Sequence, residues 1–293
     1  MKPFNLLVTS LLACAGVLLI IAFLMHGETA ALLQPKGFVA SEELVLMKNV
    51  VLLMLIVAVP VLSLLFFFAW WYRAENTRAV YMPQWEHGPM SELVWWAIPI
   101  EIVLVLGAIT WTSTHALDPH RALTEGGNPL TIQVVALEWK WLFIYPEQNI
   151  AAVNVVRIPV NRPIEFQITA DAPMNSFWIP ELGGQIYAMT GMSTELNLSA
   201  NQTGTFIGRS ANYSGEGFAR MSFTVEATSQ DEFDAWVEAV RQSPQTLSLD
   251  EYEKLQKPSE ADPPTLYAGV IENLYDILQM KFREPMLMSH PLP

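Results

Sequence analysis

Two apolar runs, residues 50–72 and 93–111, constrain this chain more than any other feature. Each is about long enough to cross a bilayer, which takes roughly 20 residues of helix. A span has no water to satisfy its backbone, so the runs are expected to be helices, drawn at about 46–72 and 93–114. Trp70, Trp71 and Tyr72 sit where an interfacial aromatic belt is expected, and Pro60 predicts a kink. The short loop between the runs carries Arg73 and Arg78. Basic loops stay in the cytoplasm, so both outer ends of the hairpin, and everything from His115 onward, face the periplasm.

A third apolar run, residues 6–25, follows Met1-Lys2 and reads as a secretory signal or an uncleaved anchor. Leu11-Leu12-Ala13-Cys14 is similar to a lipoprotein cleavage box, which makes Cys14 a candidate for lipidation. Against this, cleavage there leaves residues 16–25 as a long apolar stub, and a small buried Cys14 is the alternative. Cleavage between His26 and Ala31 is a further one.

The chain's mean hydropathy of +0.27 is high for a soluble protein, and the apolar excess lies in the first 115 of its 293 residues. The remainder is long enough for one sizeable domain. A net charge of −13 argues against nucleic acid, whose phosphates need Lys and Arg. Acids crowd residues 226–262, where a solvated face explains them better than a basic protein partner. One cysteine rules out an internal disulfide framework.

Two carboxylates belong to the second span. Glu92 opens Glu92-Leu93-Val94-Trp95-Trp96-Ala97-Ile98-Pro99, and Glu92, Trp95, Trp96 and Pro99 share a helical face. A carboxylate at the cytoplasmic water edge can collect protons for a buried path. It also suits a helix N-terminus, where the dipole favours negative charge. Glu101 lies deeper; an acid there is costly and turns toward protein or water. Pairing with a neighbouring subunit is its first reading, a proton path its second.

Past a linker at 118–129, with Pro119, Gly126, Gly127 and Pro129, the pattern changes. Residues 131–135, 164–169 and 221–226 read as strands separated by Pro, Gly and Asn, which predicts an all-β sandwich or barrel. Ser229-Gln230-Asp231-Glu232 is a capping box, with Phe233, Trp236, Val237 and Val240 on one apolar face. Ser248 starts a second helix in the same way. Residues 266–282 read as a third helix, with Val270, Ile271, Leu274, Ile277 and Leu278 inward. Met286-Leu287-Met288 reads as a flexible tail. There is no nucleotide loop, catalytic triad or zinc spacing.

Residues 210–221 have the spacing of a metal loop and almost none of its ligands. A dinuclear copper loop runs Cys-x-x-x-Cys-x-x-x-His-x-x-Met. The cysteines fall on Ser210 and Ser214, the histidine on Phe218, and only Met221 matches. An upstream histidine position falls on Asn175 of Met174-Asn175-Ser176-Phe177-Trp178. Copper needs thiolate and imidazole to be held through its redox cycle, and residues 123–289 contain neither Cys nor His. The chain resembles the haem–copper oxidase subunit II family in its copper-free form, as in bo-type ubiquinol oxidases. Glu92-x-x-Trp95-x-x-x-Pro99 and the Trp139-x-Trp141-x-x-x-Tyr145 run carry the resemblance as well.

The resemblance implies a transmembrane hairpin followed by a periplasmic cupredoxin-like β-sandwich and a helical C-terminal extension. The expected layout is 1–30 signal or anchor, 31–117 hairpin, 118–227 sandwich and 228–293 extension. It implies a bacterial inner-membrane subunit of a complex that oxidises ubiquinol, reduces O2 to water and pumps protons. Haems and copper are expected in the partner subunit I, with further small subunits alongside and no cytochrome c. It places Glu92 near a proton channel of that partner, and it favours lipidation at Cys14, since such subunits are often lipoproteins. Asn175, Ser210, Asn212, Ser214, Phe218 and Met221 are expected to form a closed, metal-free remnant, with Phe218 filling the histidine's volume. Trp139 is expected to pack at the membrane-facing edge of the sandwich rather than to relay electrons. A copper-bearing cytochrome c oxidase subunit II is disfavoured by the missing ligands. A membrane-anchored cupredoxin-like scaffold outside any oxidase is the alternative.

Overall fold

The computed structural model describes residues 31–80, 82, 88–123 and 126–289, so Cys14 lies outside the described residues. The chain divides into two units, the segment 42–121 and the remainder.

The first unit is the hairpin. Helix α1 (Phe38–Trp71) has 34 residues and helix α2 (Pro89–Ala116) has 28, and both extend beyond the apolar runs. At about 1.5 Å per residue each exceeds the roughly 30 Å hydrocarbon layer, so the polar ends reach the interfaces. Both helices continue through an internal proline, Pro60 and Pro99. The carbonyls that end α1 are capped: Arg73 Nη1 donates to Trp70 O at 3.1 Å and Asn76 Nδ2 to Trp71 O at 2.5 Å. The Arg73 guanidinium also lies over the Trp70 ring, 5.4 Å from its centroid. A cation at a helix C-terminus is favoured by the dipole. Helix α2 starts at Pro89, where a missing N–H costs nothing. Along the exposed, apolar α2, Ile102, Leu106, Ile109 and Ser113 form one half-buried stripe at helical spacing.

The second unit is the sandwich. One sheet has six strands in the order β11-β3-β2-β1-β5-β8. These are β1 (Leu130–Leu137), β2 (Lys140–Tyr145), β3 (Ile150–Val153), β5 (Ile164–Ala170), β8 (Thr194–Leu198) and β11 (Thr265–Tyr267). The other has five, β4-β10-β9-β6-β7: β4 (Val155–Pro159), β6 (Asn175–Trp178), β7 (Gln185–Ala188), β9 (Gly204–Ser210) and β10 (Ser222–Thr228). β1 pairs parallel with β5 and β10 parallel with β4, so neither sheet is a plain meander. Trp141, Phe143, Phe166, Phe177 and Phe223 fill the space between the sheets. The Phe177 and Phe223 rings stack at 5.1 Å with an 8° interplanar angle. Gly208 makes room for them, because a Cβ there falls 2.0 Å from the Phe223 ring.

β2 is buried at every position. Trp141, Phe143 and Tyr145 face the inter-sheet core, while Leu142 and Ile144 face a second core formed with the extension. A strand covered on both faces loses the polar–apolar alternation of a half-exposed one.

In the extension, α3 (Gln230–Arg241) has the full capping box at Ser229 and Glu232, and it buries Phe233, Val237 and Val240. α4 (Leu249–Leu255) is capped by Ser248 and buries Tyr252. The single helix expected over 266–282 is not formed. Residues 265–267 are β11, paired with the outer edge of β3, and α5 (Leu274–Ser289) follows. Pro263 and Pro264 bias the approach toward extended backbone, the β3 edge offers unpaired groups, and Asn273 at φ 58° breaks the chain before α5. Leu274 and Leu278 are buried as expected, but Ile277 is 46% exposed. The backbone at 286–288, expected as a flexible tail, belongs to α5.

The segment ahead of α1 belongs to the sandwich unit. Lys36 N donates to Glu181 O and Asn201 N to Lys36 O, both at 2.7 Å, and Ala40 N to Leu182 O at 3.1 Å. At Gly37 a Cβ falls 2.4 Å from Ser199 O, so only glycine admits this approach.

Candidate functional site

The loop after β9 is where the copper spacing falls. β9 ends at Ser210, whose N–H donates to Met221 O at 3.1 Å, closing the loop at its base. β6 lies beside β9, with Phe177 opposite Ser210, and this brings Asn175 to the same place. Ser210 Oγ donates to Asn175 Oδ1 at 2.8 Å, and both side chains are buried. The same hydroxyl lies 3.3 Å from Asn212 O. Asn175 Nδ2 donates to Pro173 O at 2.8 Å, and Asn212 Nδ2 to Met174 O at 3.0 Å. Asn175, Ser210 and Asn212 therefore form one polar knot that ties two strands and two loops.

The other three positions do different things. Met221 is 2% exposed and belongs to the inter-sheet core. Phe218 is half-buried and meets Tyr213 edge-on, with centroids 5.6 Å apart. Ser214 Oγ is buried without a hydrogen-bond partner, while Ser214 O accepts from Trp139 Nε1 at 3.1 Å. Trp139, at φ 62° between β1 and β2, lies against Gly217, where a Cβ falls 2.2 Å from the indole. Sequence reasoning misses this contact between Trp139 and the loop. Its one signal is the closely spaced pair Gly215 and Gly217, since glycine marks a close approach.

These residues do not fit a copper centre. Their hydroxyls and amides are hard donors, largely engaged by one another and by the backbone, and they offer neither thiolate nor imidazole. Among the described residues no group of three or more His, Cys, Asp or Glu could hold a metal ion.

The two hairpin carboxylates lie apart from this knot in the sequence and differ from each other. Glu92 is half-buried in the first turn of α2, with its N–H donating to Gly88 O at 2.8 Å. Glu101 is exposed in the middle of that helix.

Further buried polar contacts of the sandwich unit lie around the extension. The Asp171 carboxylate accepts from Tyr252 Oη and Gln256 Nε2, each at 2.7 Å, and from Lys281 Nζ. Lys140, 2% exposed, donates to Leu255 O at 3.0 Å and Lys257 O at 2.9 Å, and pairs with Asp262 at 3.0 Å. Burial pushes the Asp262 carboxyl up, but the Ser259 hydroxyl and the Lys140 ammonium outweigh it and hold it below the usual range.

The periplasmic domain of Cytochrome C oxidase subunit II matches residues 147–228, and the COX Aromatic Rich Motif matches residues 241–286. The cytochrome bo(3) ubiquinol oxidase subunit 2 of Pseudomonas putida is 50% identical over 259 residues, covering 88% of this chain and 82% of that protein. The ubiquinol oxidase subunit 2 of Acetobacter aceti is 46% identical over 270 residues, 92% of this chain and 88% of that protein. The cytochrome bo(3) ubiquinol oxidase subunit 2 of Buchnera aphidicola subsp. Schizaphis graminum is 39% identical over 277 residues, 94% of this chain and 96% of that protein.

Proposed function

The chain belongs to the cytochrome bo(3) ubiquinol oxidase subunit 2 family, and from that premise we propose that it is the non-redox subunit II of a proton-pumping terminal quinol oxidase. The complex oxidises ubiquinol and reduces O2 to water in the bacterial inner membrane. Its haems and copper reside in the partner subunit I, and cytochrome c is not a donor. The hairpin anchors the chain, and the sandwich stands in the periplasm as a cap.

One observation carries the non-redox role. The positions where a dinuclear copper loop needs two thiolates and two imidazoles hold Ser210, Ser214, Phe218 and Asn175, and Ser210 and Asn175 are bonded to each other. A relay through Trp139 has no acceptor in such a loop, and its indole N–H is engaged by the Ser214 carbonyl.

Glu92 supplies proton uptake. Its place in the first turn of α2, at the cytoplasmic end set by Arg73 and Arg78, supports this reading. The test is Glu92→Gln in the purified complex, read as quinol-driven turnover and proton uptake with haem content as control. Turnover falling while haem content stays constant supports the role; unchanged turnover and uptake reduce Glu92 to a helix-start residue.

A further inference from the structure

Glu101 stands on the wrong side of its helix to share a partner surface with Glu92. The two are nine residues apart (101 − 92), which at about 100° per residue is a half-turn offset. The stripe Ile102, Leu106, Ile109 and Ser113 is the half-buried side of α2, and Glu101 lies off it as well. Its own face carries Val94, Ala97, Val105 and Ala108, all exposed.

The depth is equally informative. Glu101 is 12 residues from Pro89 (101 − 89) and 15 from Ala116 (116 − 101). At about 1.5 Å per residue it lies roughly 18 and 22 Å from the helix ends, near the middle of the membrane. No hydrogen bond or ion pair joins it to any described residue. A carboxylate at this depth is retained only beside something that compensates it.

We propose that the Glu101 face docks a transmembrane helix of another subunit that carries a basic side chain, Lys, Arg or His, at the depth of Glu101. Charge complementarity selects that occupant over lipid or a second copy of this chain, which would bring another carboxylate. Ala97 and Ala108 flank Glu101 and let a partner backbone approach closely. The face opposite Glu92 is thus an assembly surface, distinct from the one proposed for proton uptake. This inference rests on the chain being part of a membrane complex.

The test places a photo-crosslinking amino acid, benzoylphenylalanine, at Val105, one turn from the retained Glu101 on the same face, in the full chain in the native membrane. The expected adduct is a transmembrane helix of another subunit with Lys, Arg or His within one turn of the crosslinked residue. Adducts to phospholipid alone, to a second copy, or to a helix without such a residue overturn the proposal. In parallel, Glu101→Arg is expected to lower co-purification of that subunit roughly tenfold or more, and reversing the identified basic residue to Glu to restore it. Absence of rescue contradicts the pairing. Haem bands and quinol-driven O2 uptake of the wild-type complex, recorded first, report on the oxidase role separately.

Discussion

Asp171 and Lys281, 110 residues apart, form an ion pair with Lys281 Nζ 2.9 Å from Oδ1 and 3.1 Å from Oδ2. Asp171 is 1% exposed at its side chain and Lys281 44%. Asp171 follows directly on β5, with its N–H donating to Ala136 O at 2.9 Å. Tyr252, Gln256 and Lys281 all belong to the extension, so one carboxylate gathers donors from two of its helical segments. Removing the acid leaves Tyr252 Oη without its acceptor. Asp171→Ala is expected to cost about 2–3 kcal/mol, near the lower end for a broken buried pair because Lys281 can recover water. The extension then becomes a site of proteolysis while the sandwich core resists. Equal protease resistance in Asp171→Ala and wild type contradicts this.

The polar knot gives a second expectation. Ser210→Ala removes the donor to a buried Asn175 oxygen and should destabilise by about 1–3 kcal/mol, seen as a lowered Tm. Ser210→Thr keeps the hydroxyl and should lose less. Identical Tm values for Ala and wild type would mean that the knot contributes no stability.

Gly217→Ala tests the seat of Trp139. The added Cβ falls on the indole at 2.2 Å, and the ring must leave. Overpacking of this kind costs typically about 1–3 kcal/mol. The expected readout is a change in Trp near-UV dichroism together with faster cleavage of the 210–221 loop. An unaltered spectrum contradicts the placement of Trp139.

A pH dependence follows from Asp262. Its folded carboxyl titrates below the unfolded value, net of burial that acts the other way. A depressed acid contributes stability that is present above the unfolded pKa of about 3.9 and lost as pH falls through the folded value. Asp262→Asn should therefore lower stability at neutral pH and flatten the acid limb of the stability profile below about pH 4. An acid limb as steep as that of wild type argues against the Lys140–Asp262 pair.

The legible parts of this chain are those whose signals are local. The apolar runs mark the hairpin, and Ser229 with Glu232 marks the start of α3, because spans and caps are decided within a few residues. The ligand-poor 210–221 loop is legible from residue types and spacing alone. Thr265–Tyr267 is not, since its strand state comes from the free edge of β3, more than 100 residues earlier. The all-buried β2 shows the same limit from the other side. Lys140 inside a strand points to nothing until the backbone carbonyls of Leu255 and Lys257 arrive to hold its ammonium. Asp171 carries no motif at all, and its partners come from 81 to 110 residues away. The tie of residues 36–40 to the sandwich escapes a sequence reading for a similar reason, since Gly37 has no signal beyond being glycine.

Service to a quinol oxidase without a redox centre of its own is the central claim for this chain. The most direct measurement is O2 uptake by the complex purified through this chain in mild detergent, once with ubiquinol and once with reduced cytochrome c, alongside its visible spectrum. Haem bands and uptake driven by ubiquinol alone are the predicted result. Uptake driven by reduced cytochrome c, or a haem-free preparation from a detergent in which the complex is known to survive, contradicts the claim.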